Sequence, residues 1–120
     1  MKRLRQLSVL ALAALAALAV TVVAFAATGA ETVAVTAGKP SEFRFALSKK
    51  TVVKGAVTFK VTNKGALKHD FKIAGKKTPV LATGKAGTLK VTFTKAGKFA
   101  FLCTVPGHAA GGMKGTLTVK

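Results

Sequence analysis

The chain has 120 residues, with 20 Lys or Arg against three Asp or Glu, two His and a single Cys. That length is enough for one domain, the lone cysteine excludes an intramolecular disulfide, and a formal net charge of +17 excludes a charge-balanced surface. The lysines are spread singly along the chain without an aromatic-rich binding motif, so nucleic acid is not an expected partner.

In chain order, Lys2, Arg3 and Arg5 precede an apolar run from Leu7 to Ala27 that ends in small residues. This is the layout of an export signal, with Ala24-Phe25-Ala26 or Thr28-Gly29-Ala30 as the exit, giving cleavage near residue 26 or 30. The run also approaches the roughly 20 residues that span a bilayer, so an uncleaved N-terminal membrane anchor is the alternative. Either way residues 1–30 are set apart from one domain at 31–120. That domain is expected outside the cytoplasm: periplasmic, secreted or on the outer face of the cell membrane. Without the three N-terminal cations the charge falls from +17 to +14, and Glu31, Glu42 and Asp70 are the only acids left. Such an imbalance favours acidic partners or anionic surfaces.

From residue 31 the pattern is β throughout. Apolar residues recur every second position at Val33 and Val35, at Phe43, Phe45 and Leu47, and at Val57, Phe59 and Val61. The same period holds for His69, Phe71 and Ile73, for Leu89, Val91 and Phe93, for Phe99, Phe101 and Cys103, and for Leu117 and Val119. Alternation over short runs marks strands with one buried face. Val52-Val53 adds a short strand before a turn at Lys54-Gly55. Gly38-Lys39-Pro40, Asn63-Lys64-Gly65, Gly75 through Pro79, Gly84 through Gly87 and Lys95-Ala96-Gly97 read as further turns. Seven to eight short strands at this spacing predict an all-β fold, a Greek-key β-sandwich, with the phenylalanines mostly in its core.

The chemistry is concentrated in one stretch. Cys103, His108 and Met113 are spaced Cys-x4-His-x4-Met between two strands, with Pro106 and three glycines allowing the loop to curl. His69, at the head of a separate strand, can lie beside this loop, because a Greek key makes neighbours of strands distant in sequence. Two imidazoles, one thiolate and one thioether suit one copper ion in the blue-copper arrangement, the methionine being a weak axial ligand. Taken singly, Cys103 would be a buried core thiol, Met113 a core plug and His69 a strand-end histidine. Both histidines of the chain, its sole cysteine and the one methionine of residues 31–120 fall together on one ligand set.

The segment from Cys103 to Gly115 resembles the copper-binding loop of the plastocyanin/azurin family, the cupredoxins, with a spacing closer to the auracyanin and rusticyanin members. Leu67-Lys68-His69-Asp70-Phe71 is similar to the family's first-histidine segment. The resemblance implies ligation through Nδ1 of His69 and His108, the thiolate of Cys103 and axial Met113. It also implies that Nε2 of His108 faces solvent inside an apolar docking patch. Where the family usually carries Asn after the first histidine, this chain has Asp70, whose carboxylate can still accept a backbone N–H such as that of Thr104.

The expected function is a type 1 copper protein, a monomer, cycling Cu(II)/Cu(I) between donor and acceptor redox proteins, at least one of them acidic near its docking surface. Contact with a membrane, through an uncleaved N-terminus or an anionic surface, is the further partner expectation. An extracytoplasmic copper carrier or chaperone and a non-redox structural β-sandwich are the alternatives. Zinc is a poorer match because of the methionine. An enzyme is not expected: no histidines remain for a second copper centre, and no acid–base pair or supported nucleophile is left over.

Overall fold

The computed structural model describes residues 16–21 and 30–120. The segment read as an export signal or anchor lies largely outside the described residues. No helix among the described residues is long and apolar enough to cross a membrane.

The alternating segments form strands. β1 (Glu31–Ala37), β2 (Phe45–Leu47), β4 (Gly55–Asn63) and β7 (Ala86–Phe93) make one sheet in the order β2-β1-β4-β7. β3 (Thr51–Val52), β5 (Lys72–Ile73), β6 (Lys76–Lys77), β8 (Gly97–Leu102) and β9 (Lys114–Val119) make the other, in the order β3-β9-β8-β5-β6. Both sheets are mixed: β1 runs parallel to β4 and β3 parallel to β9, while the remaining pairs are antiparallel. The all-β sandwich expected from the sequence is therefore present, its nine strands including three of only two residues.

The core lies between the sheets. Val33 and Val35 of β1, Val57, Phe59 and Val61 of β4, Leu89, Val91 and Phe93 of β7, Phe101 of β8 and Leu117 and Val119 of β9 all face it. Period-two alternation puts these residues on one face of each strand, and burying that face supplies most of the driving force for folding. Phe71 sits at the centre, with ring centroids 5.3 Å from Phe45, 5.2 Å from Phe59 and 5.5 Å from Phe101. It therefore touches residues of both sheets. The inward phase continues past the apolar rows at one end of the sandwich. There Ala37 and Asn63 pair across β1 and β4, and Cys103 follows β8; all three are buried.

Three segments depart from the expected pattern. His69, Phe71 and Ile73 do not share one strand: only Lys72–Ile73 is regular, and His69 joins the sheet through an isolated bridge to Leu81. Hydrogen bonding of the Phe71 N–H to Thr78 Oγ1, rather than to a neighbouring strand, interrupts the ladder there. Phe43 lies ahead of β2 and is 36% exposed, because its loop turns toward the end of the sandwich instead of continuing the strand. The stretch from Gly75 to Pro79 is not only a turn. It contains β6, which closes a tight hairpin on β5 with Lys72 opposite Lys77.

Replacing Phe71 with Ala removes the ring that both sheets share. The expected cost is about 3–5 kcal/mol, as for large-to-small changes at close-packed sites. Urea unfolding of wild type and Phe71→Ala checks this; a midpoint unchanged within error would mean that the centre of the core lies elsewhere.

Candidate metal centre

The loop between β8 and β9 is built by its own backbone. The Cys103 N–H donates to Met113 O at 3.1 Å, which extends the β8–β9 ladder by one step and closes a neck. Inside the neck, Val105 O accepts from the His108 N–H (3.1 Å) and His108 O accepts from the Met113 N–H (3.0 Å). Gly107, at φ 83°, supplies the left-handed residue that this curl needs and that a side chain would resist. Cys103 and Met113 thus leave the neck side by side. Both are buried and pack in one small cluster with Ala37, bordered by Phe45 and Val105.

His69 arrives from the connection between β4 and β5. The His69 N–H donates to Leu81 O and the Leu81 N–H to His69 O, at 3.1 and 2.7 Å. Buried Asn63 braces the same connection: Nδ2 donates to Leu67 O and Leu81 O, both at 2.8 Å, and Oδ1 accepts from the Gly65 N–H at 2.9 Å. With its backbone held, His69 points Nδ1 at the loop. Its Nδ1 lies 3.1 Å from Nδ1 of His108 and 3.9 Å from Sγ of Cys103; His108 Nδ1 lies 3.6 Å from the same sulfur.

These three separations test whether a metal fits. A triangle with those sides has a centre about 2.1 Å from each corner, close to a transition-metal–imidazole bond and a little shorter than a metal–thiolate bond. All three donors are buried, so an ion held there would meet nitrogen and sulfur rather than water. Donor chemistry and spacing therefore suit copper.

Asp70 joins the two halves of the site. Its Oδ1 accepts from the Thr104 N–H at 2.6 Å and its Oδ2 from the Thr104 hydroxyl. The residue after His69 is thereby tied to the residue after Cys103. Phe43 stacks edge-on against His108, with ring centroids 5.0 Å apart, so its outward displacement from β2 places it at the mouth of the site. His108 is 8% exposed, whereas His69, Cys103 and Met113 are at 1% or less, which makes His108 the route to the surface.

Burial pushes the Cys103 thiol above its ordinary value. Burial, and then the neighbouring His69, pulls the His108 imidazole below its own. Without a metal Cys103 and His108 are thus biased toward neutral forms, and binding a cation has to displace the thiol proton.

Glu42 was not legible as a site residue. Its Oε2 accepts from the Ala66 N–H at 2.9 Å, and its Oε1 accepts from the Leu67 N–H at 2.8 Å and lies 2.7 Å from His69 Nε2. The backbone N–H groups of Ala66 and Leu67 lower its carboxyl from 4.5 to about 2, with His69 adding a smaller contribution in the same direction. An acid beside a glycine- and proline-containing turn reads as solvated. The available signal was scarcity, since Glu42 is one of three acids in the whole chain.

The family model for copper binding proteins of the plastocyanin/azurin family matches residues 29–120. The copper-resistant cuproprotein CopI of Pseudomonas aeruginosa is 41% identical over 54 residues, covering 45% of this chain and 28% of that protein. Among solved structures, auracyanin A, a blue copper protein of Chloroflexus aurantiacus, superposes with a TM-score of 0.63 at 22% identity, covering 77% of this chain and 100% of that one. Reduced rusticyanin superposes with a TM-score of 0.59 at 25% identity, covering 77% and 81%. The chain thus spans under a third of the curated relative it matches, but nearly the whole of these solved domains. His69, Cys103, His108 and Met113 are arranged as a blue copper site.

The lowered Glu42 carboxyl has a pH consequence in the metal-free protein. Its folded value lies below its unfolded one, so its contribution to stability is full above about pH 4.5 and is lost as pH falls toward 2. Glu42→Gln is expected to be less stable than wild type at neutral pH, with the gap closing between pH 4.5 and 2. Thermal melts of both proteins across that range check it; a gap independent of pH would remove the carboxylate as its cause.

Proposed function

Because the chain belongs to the plastocyanin/azurin family of copper-binding proteins, we propose that it is a type 1 copper protein that carries single electrons, with His69, Cys103 and His108 as the strong ligands and Met113 as the axial one. The observation that carries this reading is the convergence of three buried donors, two Nδ1 and one Sγ, around a point about 2.1 Å from each. Copper held there supplies one-electron Cu(II)/Cu(I) chemistry. The chain's own residues supply the rest. The neck between Cys103 and Met113, the Leu81 bridge and the Asp70–Thr104 tie hold the donors in one arrangement for both oxidation states, so little has to move when an electron arrives.

His108 is the exit for the electron, being the least buried of the four. Phe43 beside it, itself 36% exposed, provides apolar surface for docking. The protein acts as a carrier rather than an enzyme, outside the cytoplasm. Its partners are a donor and an acceptor redox protein, at least one with an acidic docking face. The three carboxylates of residues 31–120 are already engaged, Glu31 near Lys49, Glu42 at His69 and Asp70 at Thr104, so the lysines find no other countercharge within the domain. The likeness to a copper-resistant cuproprotein favours a second reading, a copper carrier using the same ligands.

Adding Cu(II) to the protein is expected to give an intense blue band that ascorbate bleaches and reoxidation restores, and Cys103→Ser is expected to abolish it. Copper that is bound without this cycle, and given up readily to a chelator, would favour the carrier; no band and no binding would end both readings. With an acidic redox partner, the association rate is expected to fall as ionic strength rises. A rate insensitive to salt would remove the acidic-partner proposal.

A further inference from the structure

We propose that Glu42 is the positioning residue of the copper site: its carboxylate fixes His69 as the Nε2–H tautomer, leaves Nδ1 open toward Cys103 and His108, and holds the reduction potential down. The inference rests on the copper reading above and assigns a role to a residue outside the ligand set.

The argument starts from hydrogen-bond bookkeeping. Each oxygen of Glu42 accepts a backbone N–H, from Ala66 at 2.9 Å and from Leu67 at 2.8 Å. A carboxylate used in this way acts only as an acceptor. The 2.7 Å contact between its Oε1 and His69 Nε2 therefore requires the ring nitrogen to donate. In a neutral imidazole one nitrogen carries the proton and the other a lone pair. A proton on Nε2 leaves the lone pair on Nδ1, the atom that lies 3.1 Å from His108 Nδ1 and 3.9 Å from Cys103 Sγ. A residue 27 positions away in sequence thus decides which atom of His69 can take a metal.

A second observation shows that the backbone is built around this contact. Gly65 is buried, and a Cβ placed on it would lie 2.6 Å from Glu42 Oε1 and 2.9 Å from His69 Nε2. Any side chain at that position would wedge between acid and imidazole. Gly38 faces Gly65 across the same gap, where a Cβ would run into the Gly65 backbone. Two glycines therefore let the loop before β2 settle onto the loop before His69, with Lys64 N–H donating to Ala37 O at 2.9 Å beside them. The His69 ring is fully buried and the Glu42 side chain is 29% exposed, so the carboxylate acts on the ring by direct contact at 2.7 Å with water screening its outer side. A negative charge on the far side of the ligand makes the imidazole a stronger donor. It also favours the more highly charged Cu(II) over Cu(I), which lowers the potential.

The test uses the full chain as wild type, Glu42→Gln, Glu42→Ala and Gly65→Ala. In the metal-free protein, nitrogen NMR of the His69 ring is expected to show the Nε2–H tautomer in wild type and in Glu42→Gln, whose amide oxygen still accepts, and its loss in Glu42→Ala and Gly65→Ala. With copper, Cu(II) affinity is expected to fall about 10- to 100-fold in Glu42→Ala, the range for loss of a partner to a metal-bound histidine. The midpoint potential should rise in Glu42→Ala and also in Glu42→Gln, which keeps the hydrogen bond but loses the charge. A structural brace alone would leave the Glu42→Gln potential where it was. The proposal is overturned if His69 keeps its tautomer in both alanine variants, or if Glu42→Gln keeps the wild-type potential. Should Glu42→Ala fail to fold, the near-isosteric Glu42→Gln still decides the potential. A wild type that takes up no copper ends the copper reading by itself, and the metal-free tautomers then decide the positioning role on their own.

Discussion

Two imidazole nitrogens held 3.1 Å apart, with a thiol beside them and little access for water, are the constraint around which this end of the sandwich is organised. Polar groups taken out of water are costly unless they find partners. The chain meets that cost from the outside of the site. His69 is tied at its backbone to Leu81 and at its far nitrogen to Glu42. Cys103 and Met113 are tied to each other across the neck, and His108 to Val105. The faces turned inward are left to one another. Four donors so fixed form a site that does not need to assemble when an ion arrives.

The site and the core are one mechanical unit. Phe71 lies two residues beyond His69 and is wedged among Phe45, Phe59 and Phe101, so the packing of both sheets sets where the histidine stands. Asp70, between them, reaches across to Thr104, next to Cys103. Within three consecutive residues the chain therefore provides a donor to the site, a strut to the other ligand loop and an anchor in the core. A site on loops alone would lack that support. Here the loops are short and each returns directly to a strand.

The strands with clean alternation, β1, β4, β7, β8 and β9, were legible because burial of one face leaves a period of two in the sequence. The Cys103, His108 and Met113 loop was legible because scarce residue types cluster between two such strands. What could not be read depends on side chains meeting across the fold. Phe43 keeps the strand period yet leaves the strand to cover His108. The stretch from His69 to Ile73 keeps the period too, but Thr78 takes the hydrogen bond that a ladder would use. Asn63 follows the inward phase of β4 and reads as a turn residue, although its side chain makes three hydrogen bonds, two of them buried. Glu42 carries no periodic signal at all. Its role exists only because Gly38 and Gly65 bring two loops together, and glycine in a loop ordinarily signals a turn.

The lysine pair on the β5–β6 hairpin bears on how copies of the protein meet. A sheet edge presents unpaired N–H and C=O groups that a second chain can extend into a continuous sheet. At one edge of its sheet, β6 consists of two lysines, with Lys72 opposite Lys77. At the other edge, β3 is two residues long and is flanked by Lys49, Lys50 and Lys54. Neither edge offers a neighbour more than a step or two of ladder, and like charges oppose each approach. The same cations that leave the domain so far from neutrality thus oppose the pairing of a second copy along either edge of this sheet.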